Sequence, residues 1–235
     1  MRVNEIFPAV QGEGRNQGSP CVFLRLAVCN LHCHFCDTFY TWNFGKGDGE
    51  MRHGLPTVKQ ANEVHEMNLA EIATRLTHFK RKHLVISGGE PMLQQDELME
   101  LLSTMAGWEI VEVETNGTIA PKEFMNRYVT QWNVSPKLAS SGNVRAVAIR
   151  PDVLRAFQAT GKATFKFVVQ SREDALEVKQ LAEECGLTDV WLMPEGASRE
   201  RQMETLPMAV ELAQEFGWHV TSRMHVMAYG TKRGV

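Results

Sequence analysis

The sequence predicts an α/β fold, a single partial or complete barrel of parallel strands with helices outside, and three observations lead there. Short apolar strand patterns alternate with helical ones, successive strands end in polar or glycine-bearing turns, and no internal repeat divides the chain. At 235 residues, 43% hydrophobic and 23% charged, the chain can bury one substantial core. One domain over 1–235 is therefore expected.

The elements follow in order. Pro20 to Val28 is a nearly continuous apolar run, broken only by Arg25, and predicts a buried strand that delivers three cysteines at its end. Thr41 to Met67 is polar and glycine-bearing without a period, so 41–67 predicts a loop insertion, suited to a lid. Asn68 with Glu71 makes a helix-capping pattern, followed by Leu69, Ile72, Ala73 and Leu76 at helical spacing. His83 to Ser87 predicts a strand ending in Gly88-Gly89-Glu90-Pro91, with a helix over Gln94 to Met105 behind it. Trp108 to Glu114 and Gln131 to Val134 predict strands closing with Thr115-Asn116-Gly117-Thr118 and Ser135-Pro136-Lys137. Further strands fit Thr164 to Val169 and Asp189 to Met193, with Ala175, Val178, Leu181 and Ala182 on one helix face between them. Pro207 is expected to break or bend a last helical stretch, Ser198 to Phe216. In a parallel α/β sheet such turns line up at the carboxyl edge, where ligands bind.

Charge and hydropathy exclude several classes. A net charge of −3 with no long basic block argues against direct nucleic-acid binding. No stretch is apolar for the length of a membrane span, and the first residues carry no signal-peptide pattern, so a cytoplasmic protein acting on small molecules is expected.

Cys29, Cys33 and Cys36 stand in C-x3-C-x2-C spacing. Three thiolates on one short loop can hold three irons of a 4Fe-4S cubane and leave the fourth open to bind and activate a ligand. Zinc is the competing reading, with His32 or His34 as a fourth ligand, but no second metal knuckle follows downstream. A disulfide fits worse, since three cysteines within eight residues leave one odd. Cys21 and Cys185 lie in apolar patterns and read as small buried hydrophobes.

The spacing is that of the radical S-adenosylmethionine (SAM) enzymes. Glu5-Ile6-Phe7-Pro8-Ala9-Val10-Gln11-Gly12-Glu13-Gly14, Phe23-Leu24-Arg25-Leu26, Cys36-Asp37-Thr38, and then the Gly-Gly-Glu-Pro, Glu114-to-Thr118 and Ser-Pro-Lys turns appear in order. On these the chain resembles the 7-carboxy-7-deazaguanine synthase family over most of its length. The resemblance implies a partial, TIM-like radical SAM barrel that acts as a carbon–nitrogen lyase. The implied reaction contracts the ring of 6-carboxy-5,6,7,8-tetrahydropterin with loss of ammonia, on the route to queuosine and other deazapurines. The 4Fe-4S cluster, SAM and Mg2+ are the implied cofactors, and the cofactors carry the radical chemistry. A flavodoxin-like or other one-electron reductant and a second copy of the chain, in a homodimer, are the implied partners.

Site residues carry over onto matching positions. Phe35, Cys36, Asp37, Gly88, Gly89, Glu114, Ser135, Pro136, Lys137 and Met193-Pro194-Glu195-Gly196 fall where SAM is expected. Val10, Gln11, Gly12, Glu13, Arg25, Ser87 and His225 fall where the pterin is expected, and Thr38 is the implied Mg2+ ligand. Each has a plainer alternative. Gly88-Gly89 suits any strand-to-helix turn, Lys137 a solvated surface, Phe35 a core, and Thr38 a loop-ending hydrogen bond. Arg25 in a buried strand needs a partner, either a substrate carboxylate or a neighbouring acid. His225 sits in Arg223-Met224-His225, without the flanking residues the family pattern leads one to expect, and the tail from Tyr229 to Val235 stays unassigned. Two other classes fit the cysteines alone: a radical SAM activase for a glycyl-radical enzyme, and a non-catalytic zinc module.

Overall fold

A computed structural model describes residues 1–235. Nine strands form one sheet: β1 (Arg2–Val10), β2 (Pro20–Leu26), β3 (His65–Glu66), β4 (His83–Gly88), β5 (Ile110–Thr115), β6 (Gln131–Val134), β7 (Ala163–Val169), β8 (Val190–Pro194) and β9 (His219–Val220). Their order is β9-β8-β7-β6-β5-β4-β2-β1-β3. From β2 to β9 every neighbouring pair is parallel. β1 runs antiparallel to β2, and β3 antiparallel to β1, so the sheet ends at two edges and the barrel is partial.

Strand period two puts alternate residues on opposite faces. The outer face carries Leu24, Ile86, Val113, Trp132, Phe165, Phe167 and Leu192, all fully buried in one apolar core of 37 residues under the helices. Those helices include Leu69–His78, Gln95–Thr104, Pro151–Ala159, Arg172–Cys185 and Arg199–Phe216. The predicted cap forms: the Asn68 side chain accepts from the Glu71 amide at 2.9 Å. Cys21 and Cys185 are buried, and neither is paired.

Two expectations need correction. The helix Arg199–Phe216 runs unbroken through Pro207, which lies on its exposed side; proline has no N–H to give, and the helix continues without that one bond. The segment 41–67 is not a structureless loop. It holds a small hairpin, Met51–Arg52 with Leu55–Pro56, and a short helix, Gln60–Glu63, and its end supplies β3. Asn43 organises it: its buried amide donates to the carbonyls of Arg52, Leu55 and Pro56 at 3.0–3.2 Å. The sequence reading also passed over β1, β9 and the helices Pro151–Ala159 and Met224–Tyr229.

Candidate active site

The inner face of the sheet is polar, and at the carboxyl ends of its parallel strands opens a cavity of about 730 Å3. Of the residues expected around cluster, SAM, pterin and Mg2+, all but Pro136 line it. Pro136 instead lies close to Gly117 behind the wall.

The cysteine loop leaves β2 through Val28, whose φ of +78° is rare for a β-branched residue. Two backbone bonds hold it there, from Val28 N–H to Thr41 O at 2.7 Å and from Glu90 N–H to Val28 O at 2.9 Å. Each thiol then meets a donor: Cys29 Sγ the Leu31 amide at 3.4 Å, Cys33 Sγ the Asn143 Nδ2 at 3.1 Å, and Cys36 Sγ the Trp42 Nε1 at 3.2 Å. Burial pushes the Cys29 thiol up to about 12 and raises Cys36 as well, so deprotonation there calls for a bound cation. No three Cys, His, Asp or Glu side chains converge on a single-ion site. His32 stacks on Trp42 and His53 instead, and the His34 ring lies against Gly142, so neither completes a zinc set. Sulfurs that each face an N–H suit thiolates that share charge with a bound metal group.

Behind the loop, Gly88 and Gly89 pass so close to the backbone of Leu26 and Val28 that a Cβ on either would overlap it, and Gly88 has φ +143°. The glycines therefore seat the turn against the cysteine loop. Glu90, fully buried, accepts from Met92 N–H (2.9 Å), Thr115 Oγ1 (2.7 Å) and Asn116 N–H (2.7 Å), which ties two site turns together. Burial raises its pKa despite these donors.

The floor is a charged network. Glu112 accepts from Gln11 Nε2 (2.8 Å), Asn16 Nδ2 (2.6 Å) and Asn133 Nδ2 (3.3 Å), and pairs with His83 Nε2 (3.0 Å). Although burial acts the other way, these contacts hold its carboxyl below the usual range. Gln11 also reaches Glu114 at 3.3 Å, so its amide N–H groups serve the floor. Glu13 pairs with buried Lys166 and, at 2.8 Å, with Arg223 Nε. Those two cations outweigh desolvation and hold Glu13 well below the carboxylate range. Arg223 also donates to Gly196 O (2.9 Å) and to Asp37. Beside it His225 lies over Gly12 so closely that no Cβ would fit at that glycine.

The remaining groups sit on the walls. Arg25, opposite Ser87 in the β2/β4 register, faces the cavity. The neighbouring acid is present: Nε donates to Glu5 at 2.8 Å, and the guanidinium lies beside the stacked Phe7 and Phe23 rings, 5.5 and 5.9 Å from their centroids, while Nη1 and Nη2 make no hydrogen bond. Ser87 Oγ donates to Glu114 at 2.7 Å. Lys137 Nζ is folded onto Ser135, at 2.8 Å from its carbonyl and 2.7 Å from its hydroxyl. Glu195 pairs with Arg201 at 2.8 Å. Thr38 starts a short 3-10 turn through its carbonyl, and its hydroxyl is 3.6 Å from Cys36 Sγ.

Sequence reasoning missed Glu112, Asn133, Lys166, Asn143 and Trp42. For the first three a signal existed, a polar residue at an alternate position of an otherwise apolar strand, the same signal that singled out Arg25. Asn143 and Trp42 carry none.

Comparison with known proteins bears on this geometry. The family model of the Radical SAM superfamily matches residues 25–194. A 7-carboxy-7-deazaguanine synthase of Pyrobaculum aerophilum is 36% identical over 238 residues, covering 100% of this chain and 97% of the relative. One from Hyperthermus butylicus is 30% identical, covering 97% and 92%. The crystal structure of QueE from Escherichia coli has the same fold, with a TM-score of 0.67 at 24% identity, over 95% of this chain and 94% of that one. The chain belongs to the radical SAM superfamily of enzymes and, within it, to the 7-carboxy-7-deazaguanine synthase family of lyases.

Proposed function

We propose that this enzyme converts 6-carboxy-5,6,7,8-tetrahydropterin to 7-carboxy-7-deazaguanine with loss of ammonia, dependent on SAM, a 4Fe-4S cluster and Mg2+. The observation that carries it is the single cavity in which three N–H-bonded thiols face an arginine with two unengaged Nη groups across a charged floor. Bound there, cluster and SAM would supply the radical chemistry. Substrate and product differ by one NH3, so no stoichiometric oxidant is needed and SAM can be regenerated.

The protein's part is to hold one C–H bond at the radical and keep water out. Arg25, already charged and resting beside two stacked phenylalanines, presents its free edge to the substrate carboxylate. Ser87 and Glu114 offer a linked donor and acceptor to the heterocycle, and His225 over Gly12 offers a flat wall. Lys137 and Ser135 face the SAM side with Gly89 and Met193 to Gly196. Thr38, two residues from Cys36, is the residue that would hold Mg2+, which would supply positive charge for the substrate carboxylate. A flavodoxin-like donor supplies the electron, and two copies of the chain form the working dimer.

The test is the reconstituted reaction under anaerobic conditions with SAM, reductant and the pterin, reading product mass with and without Mg2+. A product lighter than the substrate by one NH3 supports the assignment. Deoxyadenosine without that product would sink it, and Thr38→Ala with an unchanged Mg2+ dependence would remove Thr38 from the metal site.

A further inference from the structure

Asn143 and Trp42 come from segments far from each other in sequence, and each aims one N–H at a cysteine sulfur. The orientation of Asn143 is fixed by a second bond. Its other side-chain atom meets the His32 backbone N–H at 2.9 Å, and since that group can only donate, it must face Oδ1, which leaves Nδ2 toward Cys33. Ser141 Oγ, 3.1 Å from the same Nδ2, steadies the amide further. Trp42 is buried, held by its amide bond to Phe39 O at 3.1 Å and by the stack with His32, with ring centroids 4.8 Å apart. Neither side chain is freely rotating, so both N–H groups are already in place before any electron arrives.

We propose that Asn143 and Trp42 set the reduction potential of the cluster by donating N–H···S hydrogen bonds to Cys33 and Cys36. The inference rests on the cluster assigned above. The step is a one-electron reduction: a one-electron donor is oxidised, the cluster gains one negative charge shared by its sulfurs, and no bond forms or breaks. A fixed donor at a sulfur stabilises the more negative state more, which raises the potential and eases reduction. Both are positioning residues, acting through the thiolates.

The experiment is an anaerobic potentiometric titration of the iron-loaded full chain, followed by the electron paramagnetic resonance signal of the reduced cluster, with neither SAM nor pterin present. Asn143→Leu keeps most of the volume and removes the donor to Cys33 without adding a charge, giving up only the acceptor for the exposed His32 N–H. Trp42→Phe keeps a ring against His32 and removes only the N–H. Each variant should take up iron and sulfide like the wild type and shift its midpoint to more negative potential. At the wild-type midpoint the reduced-to-oxidised ratio should fall about tenfold, which is about 59 mV for a one-electron couple. The double variant should show the sum, since the two donors serve different sulfurs. An unmoved or more positive midpoint overturns the proposal, as does a variant that cannot retain its cluster, which would make these residues assembly contacts. A wild-type protein without any such signal defeats the cluster assignment itself, a separate and recognisable result.

Discussion

The two faces of one sheet are built on different terms. On the outer face Leu24, Ile86, Trp132, Phe165 and Phe167 are buried by contact with helices, a non-directional gain that any neighbour of the right size provides. On the inner face Arg25, Glu112, Glu114, Asn133 and Lys166 come from the same strands, shifted by one residue, and each of the buried charges has a partner of opposite sign or several donors. A charge buried this way is tolerable only while its partner stays. The outer face therefore holds the sheet together, and the inner face holds the site in register before any ligand binds.

Removing a partner on the inner face should give the largest effect. Arg223→Ala leaves Glu13 and Asp37 without their shared cation and should cost about 4 kcal/mol in urea unfolding, with loss of product formation. Arg223→Lys should restore little, because Nε, Nη1 and Nη2 serve three different acceptors and an ammonium cannot span them. A lysine variant with wild-type stability and activity would show that charge alone suffices. On the outer face Leu24→Ala should cost about 3 kcal/mol by cavity formation, while the cysteine loop still takes up iron. If Leu24→Ala removed the cluster and Arg223→Ala did not, the division between faces would be wrong.

Acid separates the faces more finely. Glu13 and Glu112 titrate below their ordinary range in the fold, so the unfolded chain binds protons first as pH falls. Their stabilisation is complete above about pH 4.3, the unfolded glutamate value, and is lost as pH drops through the lower folded values. Unfolding measured from pH 7 down to pH 3 should show that loss in the wild type and, in parallel, in Leu24→Ala. Glu112→Gln should be less stable at pH 7, since its amide offers donors to Asn16 and Asn133, which already donate, and should then lose less on acidification. A Glu112→Gln curve parallel to the wild type would assign the acid response to Glu13.

The same contrast decides what was legible in the sequence. Outer-face residues announce themselves by period and composition, so β2 and β4 to β8 were located to within a few residues, and the turns at their carboxyl ends marked the cavity. Inner-face partners do not announce themselves. Lys166 lies in an apolar run, and its acid, Glu13, is 153 residues away; Arg223 and Asp37 are 186 apart. The pairing is a product of barrel curvature, which no local pattern encodes. Arg25 was visible as a charge in a strand, but which of its two candidate partners it takes was not: Glu5 holds Nε while the rest of the guanidinium stays available. The helix Pro151–Ala159 did carry a signal, a proline at its start with Val153, Leu154 and Phe157 buried on one face.

Charges at the rim should behave as neither face does, and Arg233 gives the smallest expected effect. Its guanidinium lies 3.5 Å from the Tyr40 ring centroid and 2.8 Å from Glu63, joining the carboxyl-terminal segment to the end of the 41–67 segment above the cavity. With 43% of the Arg233 side chain exposed, water and salt screen the pair. Arg233→Ala should therefore change unfolding by less than about 1 kcal/mol, and raising the salt from low to molar concentration should erase the difference from the wild type. The cost of Arg223→Ala should largely survive the same salt, because Arg223 and Glu13 are 10% and 12% exposed and a buried pair is screened far less than a rim pair. What Arg233 changes should instead be local: limited proteolysis should release the last residues of Arg233→Ala faster, with the core unaltered. Equal proteolysis rates would mean that the segment is held by its backbone alone, and a cost for Arg233→Ala that persisted in salt would move this pair from the rim to the interior network.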